Sequence, residues 1–266
     1  MAEIKKIGSL KFSVKGNMPN SFSNIDLGPE NLTAIYQGII DSHHGDILAI
    51  ETTFHWVPEG VLTSVPYETI AKQVQESGKK NDLAALMFSI AFQQSVEWIK
   101  EGRHPHKIIV SLPSTTYNAP EIINALDQVI KEKGIDPSTI CLKFPYSNEP
   151  DENKNIDSKI YSHLKQLKVT AIMSGLDLFY CSFDELKELN ADQIEIHQKI
   201  VSQVETSSGF KEMQEFVERI KMAGKDCYAA GVTTAKQVMR LQKSGCHLLR
   251  GDLYLPAGPD FPNWDF

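Results

Sequence analysis

Apolar positions run almost without interruption from Leu32 to Ile40 and again from Ile47 to Phe54, with the polar stretch His43, His44, Gly45 and Asp46 between them. Two such runs around a short turn predict an antiparallel hairpin. Farther along, short apolar runs at 108–112, 140–144, 170–173, 193–196, 226–229 and 248–251 alternate with longer amphipathic stretches. One such stretch carries Leu83, Met87, Ile90 and Trp98 after a cap at Asn81 or Asp82. A second carries Ile122, Ile123, Leu126, Val129 and Ile130 between a cap at Asn118 and a stop at Gly134. A third repeats Phe210, Met213, Phe216, Val217 and Ile220 at helical spacing. Caps, stripes and stops of this kind mark helices with one core face. Strands alternating with helices predict a parallel sheet covered by helices, and the hairpin brings the strand number to about eight, which closes a barrel. The expected fold is therefore an α/β (β/α)8 TIM-like barrel with an antiparallel first hairpin.

The barrel is expected over residues 31–258. Residues 1–30 form an extension in which Leu10, Phe12 and Val14 alternate and can add a strand, ahead of a link rich in Asn, Ser, Pro and Gly. Residues 259–266 form a tail whose Phe261, Trp264 and Phe266 pack on the barrel or on a neighbour.

With 266 residues, of which 41% are hydrophobic and 23% charged, the chain can bury one full core. A formal net charge of −7 opposes general attraction to nucleic acid or to an anionic membrane. No run reaches the roughly 18 apolar residues of a membrane span, and the first residues lack a signal-peptide pattern, so a cytoplasmic location is expected. Cys141, Cys181, Cys227 and Cys246 contain no CxxC pair and read as reduced thiols. His43-His44 and His104-Pro105-His106 sit in polar connections with no evident third ligand, and read as solvated histidines.

Five segments, Tyr36-Gln37-Gly38-Ile39-Ile40-Asp41, Ile50-Glu51-Thr52-Thr53-Phe54-His55-Trp56, Asp192-Gln193-Ile194-Glu195-Ile196, Ala229-Ala230-Gly231-Val232 and Gly245-Cys246-His247-Leu248-Leu249-Arg250-Gly251, resemble in order and spacing the landmarks of the EAL domain family. That family hydrolyses cyclic di-GMP with two divalent cations at the carboxyl ends of the barrel strands, and the resemblance spans roughly residues 32–256. Hard cations need several oxygen ligands, and two-metal hydrolysis needs bridging ones.

The resemblance places Glu51 on the glutamate of the name-giving tripeptide, followed by Thr52 and Thr53. It places Ser111 on a metal-binding asparagine and Lys143 on a ligating glutamate. Ser174 and Gly175 fall on the paired aspartates, with Asp177 three residues beyond as the carboxylate that a local shift would bring in. Glu195 falls on the lysine near the attacking water, His197 on the aspartate after it, and Ala230 and Thr233 on two glutamates. Arg250 takes the place of a glutamine, and His55 that of the arginine that helps hold the dinucleotide. By this alignment Glu51 is the one ligand that survives, the rest of the catalytic and metal-binding set is replaced, and no metal or other cofactor is expected.

Lys143 and Glu195 exchange the charges the family would carry. Lys143 then either reaches inward to pair with Glu51, Glu195 or both, or both side chains turn to solvent at the rim. The resemblance leaves three functional classes, in order: regulation through a protein partner in cyclic di-GMP-related motility or biofilm signalling, reception of cyclic di-GMP without cleavage, and residual hydrolysis. For reception, Arg250 is the strongest phosphate contact. The resemblance also suggests homodimerisation.

Overall fold

The computed structural model describes residues 11–13, 24–26, 31–57, 65–67, 80–112, 120–146, 155–176 and 182–259 of the chain. Asn118, Asp177, Cys181, Phe261, Trp264 and Phe266 lie outside the described residues. Two short strands, β1 (Lys11–Ser13) and β2 (Asn24–Asp26), pair antiparallel in a sheet of their own, while Leu10 and Val14 of the expected alternation lie outside the described residues. The expected hairpin is β3 (Leu32–Asp41) and β4 (Ile47–Trp56). After it come β5 (Val65–Pro66), α1 (Lys80–Lys100), β6 (Ile108–Ser111), α2 (Pro120–Lys133), β7 (Ile140–Pro145), α3 (Ser158–Leu167) and β8 (Thr170–Ser174). The chain continues through α4 (Phe183–Glu188), β9 (Gln193–Ile196), α5 (Gln198–Val201), α6 (Ser207–Met222), β10 (Asp226–Ala230), α7 (Ala235–Lys243) and β11 (Leu248–Arg250).

Strand order closes a ring: β3, β4, β6, β7, β8, β9, β10, β11 and back to β3, with β5 added outside it on β4. From β4 through β11 the ring neighbours are parallel, whereas β3 runs antiparallel to both β4 and β11. The ring is the eight-stranded barrel that the alternating pattern predicts. One expected boundary moves: α1 already begins at Lys80, so Asn81 and Asp82 lie in its first turn and do not cap it. Gly134 stops α2 with a φ of 64°, a left-handed conformation that glycine adopts without steric cost.

Alternation along the strands sorts the core into two layers. Outward residues such as Val110, Leu142, Phe144 and Ile194 pack with Phe88, Phe92, Leu126, Leu164, Phe216 and Leu241 from the helices. Burying each of these large side chains contributes on the order of 1.5–3 kcal/mol, which makes this the layer that holds helices to barrel. Inward residues Ile39, Ala49, Ile109, Cys141, Ile172, Tyr228 and Ala230 form a separate, smaller cluster. The positions one pleat farther toward the carboxyl ends, Glu51, Ser111, Lys143 and Glu195, are polar and buried. The interior is thus apolar at one end and charged at the other.

Candidate functional site

Register decides which side chains meet. In the β3–β4 hairpin the pairing shifts between Ile39 and Ile40, a bulge that sets Gln37 opposite Glu51. Without that extra residue Gln37 would face the helices, because a one-residue slip exchanges the two faces of a strand. Val110 of β6 pairs with Leu142 of β7 and Ser111 with Lys143, while Tyr228 of β10 pairs with Glu195 of β9 and Ala230 with Arg250 of β11. Gln37, Glu51, Ser111, Lys143, Glu195, Tyr228 and Arg250 therefore converge from separate strands near the carboxyl ends, where barrels of this kind carry their chemistry.

The centre is a buried ionic cluster. Lys143 donates from Nζ to Glu51 Oε1 and, at 2.8 Å, to Glu195 Oε2. Of the two alternatives drawn for this residue pair, the solvent-facing one is overturned: Glu51 is 1% exposed, Glu195 4% and Lys143 8%. Ser111 donates to Glu51 Oε1 at 2.9 Å, and the Tyr228 hydroxyl donates to Glu195 Oε2 at 2.7 Å. Arg250 donates to Glu195 Oε2 at 3.3 Å and to Gln37 Oε1 at 2.9 Å. Its Nε lies 3.0 Å from Glu51 Oε2 but makes no directed hydrogen bond, so that contact is an ion pair held by charge alone. Gln37 passes the network outward, donating to Asp252 Oδ1 at 3.1 Å and to the Leu255 carbonyl at 3.0 Å.

Two carboxylates thus face two cations, and the internal charges cancel. Burial by itself would raise the Glu195 carboxyl, but the charges of Lys143 and then Arg250 outweigh it and hold the group at about 2. Burial would lower Lys143, yet Glu195 and Glu51 keep its pKa above the ordinary lysine value. Tyr228 is pushed well above the usual phenol range, first by burial and then by both carboxylates, so it remains a donor. An ionised pair taken out of water stays charged only with such complete pairing.

The cluster forms the floor of a cavity of about 360 Å³ at the mouth, whose walls include Thr53, His197, Gln198, Ala230, Gly231, Thr233 and Asp252. His197 caps α5, its Nδ1 accepting the Lys199 amide N–H at 3.3 Å, and its own burial lowers its pKa. Thr233 and Thr234 are held by the Gln237 side chain at the start of α7. Gly251 has no room for a side chain, since a Cβ there would lie 2.1 Å from the Val232 carbonyl oxygen. That close approach brings the loop after β10 against the end of β11.

Not every position singled out in the sequence reaches this floor. Ser174 is buried but its hydroxyl donates to the Phe144 carbonyl at 3.4 Å, and Gly175 beyond it turns with a φ of 77°. Neither lines the cavity, nor does His55, which lies four residues beyond Glu51 on β4. His43, His44, His104 and His106 are exposed, as expected of loop histidines. Conversely, Gln37, Tyr228 and Asp252 belong to the network without having been singled out. Tyr228 carries a readable signal: a tyrosine at an inward position of a barrel strand must find a partner for its hydroxyl.

Among the described residues no group of three or more His, Cys, Asp or Glu is arranged to hold a metal ion. The two carboxylates that do converge are bridged by Lys143, an ammonium with no lone pair to offer a cation. The described residues therefore do not fit a paired divalent site.

A barrel closed by one reversed strand, with its polar residues gathered at the carboxyl ends, defines the class as an α/β barrel with a mouth-side site. The EAL domain model matches residues 25–257, and the chain belongs to the EAL domain family. It is 24% identical over 238 residues to an uncharacterised protein of Azorhizobium caulinodans, covering 86% of this chain and 31% of that one. It is 27% identical over 150 residues to the blue light- and temperature-regulated antirepressor BluF of Escherichia coli, covering 55% of this chain and 36% of BluF. The chain thus spans about a third of the length of these relatives. Its fold is similar to that of the phosphodiesterase PaMucR in complex with c-di-GMP, with a TM-score of 0.75 at 18% identity over 86% of this chain and 93% of that one. No helix among the described residues is long and apolar enough to cross a membrane.

Proposed function

We propose that this chain is a non-hydrolytic EAL domain that regulates through a protein partner in cyclic di-GMP-related signalling. The observation that carries the reading is the placement of Lys143 and Arg250: their cationic groups occupy the space between Glu51 and Glu195. Divalent-ion hydrolysis needs that space filled by metal and bridged by oxygen ligands. Here Ser174, Gly175, Ala230 and Thr233 supply no carboxylate, and the vestigial acid Glu51 is committed to Lys143, Ser111 and Arg250. The choice of a protein partner is supported by the relative BluF, which is described as an antirepressor.

A second reading, reception of cyclic di-GMP without cleavage, draws on the open mouth cavity and on the c-di-GMP complex of PaMucR. Against it, Arg250 is already engaged by Gln37 and Glu195, and the arginine of the family's motif is His55. Calorimetric titration with cyclic di-GMP, with and without Mg²⁺ or Mn²⁺, followed by product analysis, separates the readings. Silence in both arms is expected. Tight binding without product would replace the first reading by the second, and turnover abolished in Glu51→Gln would overturn both. Sedimentation of the same sample tests for a homodimer.

A further inference from the structure

The two turns that lead into β10 and β11 each deliver a cysteine. After α6, Gly224 turns with a φ of 74° and the Lys225 amide donates to the Ile220 carbonyl at 3.2 Å, which sets Cys227 at the foot of β10. After α7, Gly245 turns with a φ of 83° and the Cys246 amide donates to the Leu241 carbonyl at 3.0 Å, just ahead of β11. Tyr228 pairs with Leu248 in parallel register, so the residues leading into the two strands stand side by side. Both thiols are free and belong to the buried layer between barrel and helices. They are in hydrogen-bond contact, Cys246 donating to Cys227.

The surroundings treat the two sulfurs unequally. The hydrogen bond from Cys246, helped by the charge of Lys221, lowers the pKa of Cys227 against its own burial and the nearby Asp226 carboxylate. The same hydrogen bond, together with burial, raises Cys246, which keeps its proton. Lys221 is fixed at this spot, its Nζ donating to the Gly245 carbonyl at 2.8 Å. Access differs as well: Cys227 is 8% exposed beside the exposed Asp226, whereas Cys246 is 1% exposed. Strand ends open locally at lower cost than strand centres, which favours a reagent little larger than water at Cys227. Cys141 lacks this setting, for it lies in the inward cluster and burial pushes its thiol up to about 11.

We propose that Cys227 and Cys246 are a redox modification site, at which a small hydroperoxide closes a reversible disulfide between the foot of β10 and the entry to β11. The Cys227 thiolate attacks one oxygen of hydrogen peroxide, forming the S–O bond of a sulfenic acid and breaking the O–O bond. The hydroxide released takes up the proton that Cys227 lost and leaves as water. The Cys246 sulfur then attacks that of Cys227, and its proton leaves with the displaced hydroxide as a second water. Two thiols and one peroxide thus give one disulfide and two waters, and a dithiol reductant restores both thiols. The bond ties together the strands that carry Tyr228 and Arg250 to the mouth cluster, and the proposal stands apart from whatever the mouth recognises.

Brief treatment of the full chain with hydrogen peroxide, followed by alkylation in denaturant and tryptic mass spectrometry, tests the proposal. Tryptic peptides 226–236 and 244–250 separate the two cysteines. They are expected to be recovered joined, two hydrogens lighter than their sum, and to come apart with dithiothreitol, while Cys141 is recovered alkylated. In Cys246→Ser, Cys227 has no thiol partner and is expected to be captured by dimedone as the sulfenic acid. In Cys227→Ser, Cys246 is expected to stay unmodified, and Lys221→Gln is expected to slow the joining several-fold. Recovery of both peptides separate and alkylated after peroxide, or joining that occurs only when denaturant precedes the peroxide, would overturn the proposal. So would preferential joining of either cysteine to Cys141 or Cys181. Should a variant fail to fold, the comparison of native and denatured wild-type chain decides alone.

Discussion

At the mouth, Glu51, Lys143, Glu195, Tyr228 and Arg250 fill the barrel with charges and donors whose partners are protein atoms. One pleat below, Ile39, Ala49, Ile109 and Cys141 are buried against one another in an apolar cluster. The same eight strands therefore support a charged, hydrogen-bonded end and an apolar, packed end. A cluster whose donors and acceptors are mostly spent on one another has little left for a ligand. The residues that look most like chemistry in the sequence are those the fold has most fully occupied.

The largest break in this contrast is expected from Lys143→Ala. It strands Glu51 and Glu195 side by side in a buried layer, and loss of one partner of a buried pair costs about 3–5 kcal/mol. Urea denaturation would register this as a lowered midpoint, and an unchanged midpoint would show that the cluster contributes no stability. Tyr228→Phe removes the 2.7 Å donor to Glu195 and is expected to cost about 1–3 kcal/mol by the same measurement. Acid sharpens the contrast further. The Glu195 carboxyl lies at about 2 in the fold against 4.5 ordinarily, so its stabilising contribution is present above pH 4.5 and is lost as the pH falls toward 2. Melting curves across that window should slope less in Glu195→Gln, once its lower starting stability is subtracted.

At the other end, Lys168→Glu on an exposed turn is expected to move stability by no more than about 0.5 kcal/mol. The smallest effect is expected from Mg²⁺ or a chelator: neither should shift the melting temperature, because Lys143 already bridges the carboxylates. A metal-dependent rise would place a cation in the mouth and contradict that arrangement.

Much of the architecture could be read from periodicity. The polar turn at 43–46 fixes the hairpin, and the short apolar runs coincide with β6 to β11 within a residue or so of each end. The start of α1 was misplaced because Asn81 and Asp82 are good caps anywhere, and the choice between them and Lys80 rests on chain entering from residues with no strong local signal. Within the site, the inward turn of Lys143 could be drawn only as one of two alternatives, since alternation gives a face but not the depth of a long side chain. Gln37 could not be placed at all without the bulge at Ile39 and Ile40, which no residue type announces.

The reversed strand β3 has a consequence for how the molecule is made. Its Gln37 is tied to Asp252, 215 positions later, and its Ile40 pairs with Leu249. Loop-closure entropy makes such a seam among the last contacts to form. In that order of events Glu51, Lys143 and Glu195 meet before β11 delivers Arg250. Until then the cluster carries one more negative than positive charge, and closure of the ring is the step that cancels it.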